Sequence, residues 1–158
     1  MSRELITSWN DYQTAIDRIL ALACKQVWIY DEDLGMLRLE ASERMEALKT
    51  PLALHHPDCL RIALRDTEPL QQRQPLTQRL LTTYSHNSAA QQTPEQLSHL
   101  RDSMILVDDA HALIRFDQNQ PRGKLLIDEL DEVMPYLRRF AEIWAAGGTP
   151  VTATTLGL

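Results

Sequence analysis

Arg101-Asp-Ser103-Met-Ile-Leu-Val-Asp108-Asp109-Ala-His111-Ala112-Leu-Ile-Arg115-Phe116 reads as two apolar strands, Ser103–Asp108 and Ala112–Phe116. The connection between them, Asp109-Ala-His111, is short enough for a hairpin. Upstream, Ser8 and Asp11 resemble a capping box, and Tyr12, Ala15, Ile16, Ile19, Leu20 and Ala23 follow at helical spacing. Gln26-Val-Trp-Ile-Tyr30 is then a short β-branched and aromatic run that ends in Asp31-Glu-Asp33. A second cycle places a helix from Ser42 through Met45, Leu48 and Leu52, which Pro51 should kink or end early. It is followed by the strand Leu60–Asp66. A third helix runs through Leu76, Leu80 and Leu81, and Tyr84–Gln92 suits either a short strand or a loop. Downstream of the hairpin, Ile127–Ala145 carries Leu130, Val133, Met134, Leu137, Phe140, Ile143 and Trp144 on one side of a closing helix. Pro135 interrupts this helix and Gly147-Gly148 stops it. Helix and strand alternating in this way imply an α/β fold with a mixed, mostly parallel sheet flanked by helices on both faces.

The whole composition fits one such unit. The chain has 158 residues, 44% of them hydrophobic, and at this size folding buries about 68–70% of the surface of the unfolded chain. We expect one domain over 1–146, with 147–158 a tail or an edge strand. The formal net charge is −6, with 16 Lys+Arg against 22 Asp+Glu, so a phosphate-gripping nucleic-acid binder is not expected. No apolar run approaches the ~20 residues of a membrane span, and the first residues lack the apolar stretch of a secretory signal, so a cytoplasmic protein is expected. Cys24 and Cys59 suit free thiols in a reducing compartment. The five glycines offer no paired spacing for a dinucleotide, P-loop or acyl-CoA pyrophosphate loop, and no cofactor is expected.

The hairpin segment resembles the catalytic segment of the phospholipase D superfamily, in which a His, a Lys two residues on and an Asp five further precede a second strand. In that register Arg101 stands at the His, Ser103 at the Lys and Asp108 at the Asp, and Arg115-Phe116 stands at the family's Gly-Ser pair. The chain as a whole resembles a degenerate phospholipase D-like domain of unknown function found in bacteria, alone or fused behind an acetyltransferase domain. The strand ending Ile29-Tyr30-Asp31-Glu-Asp33-Leu34, the strand ending Arg65-Asp66, Gln78-Arg79-Leu80-Leu81, the Leu106-Val-Asp-Asp109 turn, and Phe140 with Trp144 carry that likeness. A guanidinium stays protonated at any ordinary pH and cannot attack phosphorus, so Arg101 removes the family's nucleophile. The resemblance therefore implies a non-catalytic binding or interaction module rather than an enzyme. It further implies a homodimer whose interface lies near the degenerate site, and an acetyltransferase as a possible partner.

Other residues offer chemistry of their own. Asp31, Glu32, Asp33, Asp66, Asp108 and Asp109 follow apolar strands, and in parallel sheets ligands bind beyond the carboxyl ends of strands. Converging, Asp31, Asp33, Asp66 and Asp108 would hold a divalent ion for a metal-dependent enzyme or regulator, the alternative function. The commoner reading is that such carboxylates open turns and cap helices. His55-His56-Pro-Asp58-Cys59 holds four potential metal-ligand side chains, but neighbouring ligands seldom close one site, and a polar loop is the simpler reading. His86, His99 and His111 are scattered. Arg61, Arg65, Arg73, Arg79, Arg101 and Arg115 would line an anion pocket or form surface pairs, and Arg101 and Arg115 fall nearest the old phosphate site. The tentative ligand-binding set is thus Asp31, Asp33, Asp66, Arg101, Ser103, Asp108 and Arg115, with no metal site assigned.

Overall fold

The computed structural model describes residues 1–151. Eight strands form one sheet in the order β1-β7-β6-β5-β2-β3-β4-β8: β1 Ser2–Ile6, β2 Val27–Asp31, β3 Leu60–Leu64, β4 Ser88–Gln92, β5 Ser103–Val107, β6 His111–Arg115, β7 Gly123–Ile127 and β8 Thr149–Pro150. Five helices accompany it: α1 Trp9–Ala21, α2 Ser42–Ala53, α3 Glu68–Arg73, α4 Pro75–Thr83 and α5 Leu130–Ala145. The architecture is α/β with one mixed sheet between helical layers, as expected, but the sheet is largely antiparallel. Only β2–β3 and β3–β4 run parallel, while β1–β7, β7–β6, β6–β5, β5–β2 and β4–β8 run antiparallel. The difference arises from two strands that the pattern concealed. Ser2–Ile6 is too polar to announce itself, since three of its five residues are exposed at the sheet edge. Gly123–Ile127 lies directly before α5, so its apolar residues merged with the helical pattern. Consecutive strands joined by short connections can pair only antiparallel, and β5, β6 and β7 do so.

Side chains alternate between two cores. Ile29, Leu60, Ile62, Ile105, Val107, Leu113 and Leu125 pack with Ile16, Ile19 and Leu20 of α1 and Leu48 and Leu52 of α2. Tyr30, Ala63, Met104, Leu106, Ile114 and Leu126 point the other way, against Val133, Leu137, Phe140 and Ile143 of α5. Every residue of β5 and β6 is buried, so these strands form the middle of the molecule.

Several local expectations are corrected. Ser8 caps α1 by accepting the Asp11 N–H at 3.1 Å, but α2 is capped by Ala41, with Ser42 its first residue. Neither proline ends its helix. Pro135 lies in the second turn of α5, where the lost hydrogen bond and the carbonyl clash fall close to the helix start, and α2 continues two residues beyond Pro51. The helix through Leu76, Leu80 and Leu81 is α4, preceded by the short α3 that the pattern did not show, and α5 starts at Leu130 rather than at Ile127. Tyr84–Gln92 does contain a strand, β4. Thr149–Pro150 forms the edge strand β8, and the rest of the C-terminal segment, 152–158, lies outside the described residues.

Candidate functional site

Antiparallel pairing of β5 with β2 sets Met104 opposite Tyr30 and Val107 opposite Val27. The start of β5 therefore meets the end of β2, and β6 returns Arg115 to the same place opposite Ser103. Asp31, Ser103 and Arg115 converge here, and all three side chains are buried. The Asp31 carboxylate accepts the Ser103 hydroxyl at 2.6 Å and an Arg115 Nη at 3.1 Å through Oδ1. Its Oδ2 accepts the Leu34 N–H at 2.8 Å and that of Asp33 at 3.3 Å. Arg115 is held further by the Gln118 carbonyl at 2.7 Å, and its guanidinium carbon lies 4.9 Å from the Tyr12 ring centroid and 5.4 Å from that of Trp9. Its Nε is buried without a partner. Burial pushes the Tyr12 hydroxyl upward in pKa, against the opposing pull of the Arg115 charge.

A second guanidinium braces the outer side of the same sheet end. Arg65 donates to the Leu100 and Asp102 carbonyls at 2.6 and 2.9 Å and to the Gln118 side chain at 3.0 Å, above the Tyr30 ring. Tyr30 donates its own hydroxyl to Leu100. Arg101, nearly half exposed, pairs with Asp117 at 3.2 Å. The Asn119 backbone N–H and then Arg101 hold the Asp117 carboxyl below its ordinary range. Glu32 nearby is pushed upward by burial and by the Asp33 charge. Phe116 stands exposed beside Asp117.

The structure separates the expected acidic cluster. Asp108 follows β5 at the end opposite Arg101 and Ser103, a distance set by a five-residue strand of about 17 Å. There its carboxylate accepts the backbone N–H groups of Cys24, Lys25 and Gln26 at 2.8–2.9 Å, and it takes the left-handed conformation of a tight turn, φ 55°. Asp108 thus neither joins Asp31 nor orients a group at position 101. Asp33 accepts the Gly35 N–H and Asp66 the Glu68 N–H, both as turn-forming carboxylates. Among the described residues no three His, Cys, Asp or Glu side chains are grouped to hold a metal ion. Tyr12 and Trp9 carried no signal in the sequence as partners of Arg115, because they meet it only where α1 packs against the sheet.

Residues 8–153 match the family described as a domain of unknown function, DUF7931. The chain belongs to the DUF7931 family. A comparison with curated proteins finds no match. The DUF7931 chain is similar in fold to Nuc, a phospholipase D family member from Salmonella typhimurium, at TM-score 0.62 and 10% identity over 94% of this chain and 98% of Nuc. NucT from Helicobacter pylori gives TM-score 0.62 and 12% identity over 92% of this chain and 96% of that one. TrmBL2, an archaeal chromatin protein with a novel mode of DNA binding, gives TM-score 0.66 and 12% identity over 92% of this chain. The DUF7931 chain spans about half the length of TrmBL2, 53%. The DUF7931 fold is therefore phospholipase D-like. No helix among the described residues is long and apolar enough to cross a membrane.

Proposed function

We propose that this DUF7931 protein is a non-catalytic phospholipase D-like module that acts by association, its partner being a second copy of the chain. The observation that carries this reading is the filled sheet end. Where the superfamily resemblance puts a nucleophilic imidazole and a phosphate-binding ammonium, this chain has a guanidinium paired to Asp117 and a buried hydroxyl spent on Asp31. Arg115, the nearest buried cation, has its charge met by Asp31 and is enclosed by Tyr12 and Trp9. Such a constellation rigidifies the sheet end and commits the groups at the three positions where the resemblance would place the family's phosphate chemistry. The DNA binding named for TrmBL2 does not carry over easily to a chain of net charge −6.

Incubation of the purified protein with bis(p-nitrophenyl) phosphate, with and without Mg²⁺, tests the catalytic half. The expected release of nitrophenol equals that of an R101A/S103A variant. Release well above that variant would overturn the non-catalytic assignment.

A further inference from the structure

His55 lies just after α2 and His86 lies between α4 and β4, yet their rings face each other with His55 Nδ1 3.1 Å from His86 Nε2 and ring centroids 5.2 Å apart. Both side chains are exposed. One of these nitrogens hydrogen-bonds the other; two imidazole nitrogens bound to one tetrahedral ion at about 2.0–2.1 Å stand roughly 3.3 Å apart, so an ion replacing the shared proton would need little movement of the rings. The two loops are held as one piece by Asn87, which is buried. Its side-chain amide donates to the Leu52 and His56 carbonyls, both at 3.1 Å, while its backbone carbonyl accepts the Cys59 and Leu60 N–H groups and its own N–H bonds Tyr84. The rings are thus presented by a clamped scaffold. His55 also sits at φ 61°, a conformation that non-glycine residues adopt sparingly.

We propose that His55 and His86 form a two-histidine site for a borderline divalent transition ion such as Zn²⁺, the remaining coordination positions being taken by water. Imidazole selects this class over Mg²⁺ or Ca²⁺, which prefer oxygen. The ligands differ from those the His55–Cys59 run suggests. Asp58 turns to Arg61 at 3.3 Å, and Cys59 is buried in the apolar core. The site stands independently of the phospholipase D-like end of the sheet.

Calorimetric titration of the full chain with Zn²⁺ tests it, using wild type, H55A, H86A, H56A and C24S, each checked for an unchanged circular dichroism spectrum. One ion per chain is expected in wild type, H56A and C24S, with at least a tenfold loss of affinity in H55A and in H86A. A saturating ion should also raise the thermal midpoint of wild type by several degrees. Absence of binding up to millimolar Zn²⁺, binding unchanged in H55A or H86A, or binding lost in C24S would each overturn the assignment.

Discussion

Asp31 and Arg115 are each 1% exposed, and such a pair is safe only while both members are present. Removing one partner leaves a buried charge without its counterion, and D31N or R115M should each lower stability by about 3–5 kcal/mol in urea unfolding. The D31N/R115M double variant should lose clearly less than the sum of the two; additive losses would show that the pair is not coupled. Cysteine chemistry separates in the same way. Burial pushes the Cys59 thiol up to about 11, while Cys24 is exposed. At pH 8 the native chain should take up one equivalent of a thiol reagent and the unfolded chain two, because only a thiolate attacks. The raised value also means that the folded state holds the Cys59 proton more tightly than the unfolded one does. Stability contributed by the neutral thiol should therefore be intact below the ordinary thiol range and fall as pH rises toward 11.

At the scale of elements, a turn and a strand pairing in the middle of the sheet depend on single residues. Asp108 accepts three backbone N–H groups leading into β2, two of them solvent-exposed, so D108A exchanges charge-assisted bonds for water and should cost about 1–2 kcal/mol in thermal or urea unfolding. Asn at that position keeps an acceptor oxygen and tolerates the positive φ, so D108N should cost less. Gly123 pairs with Arg115 across β6 and β7, and a Cβ there would stand 1.9 Å from the Ile114 carbonyl oxygen. G123A must therefore push β7 off β6, and a marked loss of stability with altered amide shifts across Ile114 and Arg115 is expected; an unperturbed spectrum would refute the close approach. What the sequence made legible at this scale follows the same physics. β2, β3, β5 and β6 are apolar on nearly every residue and announce themselves, as do α1 and the apolar stripe of α5. β1 is edge-exposed and β7 abuts a helix, so hydrophobic pattern alone could not find them. The misplacement of Asp108 has its own cause, the direction of β5 against β2: a parallel reading puts every strand-ending carboxylate at one end, whereas antiparallel β5 carries Asp108 to the other.

At the scale of the molecule, the α/β class was readable from the alternation of helix and strand, and the phospholipase D-like likeness from the register of Arg101, Ser103 and Asp108 together with motifs along the chain. Most partners of Arg115 were not, since Tyr12 and Asp31 lie far from it in sequence and meet it only in the folded sheet. The proposed association would use exposed Phe116 and the Arg101–Asp117 pair beside the filled sheet end as the surface a second copy meets. Light scattering of the purified chain at micromolar concentration tests this most directly. The account predicts about twice the 18.1 kDa chain mass for wild type and a folded, monomeric F116D variant; a monomeric wild type would contradict it.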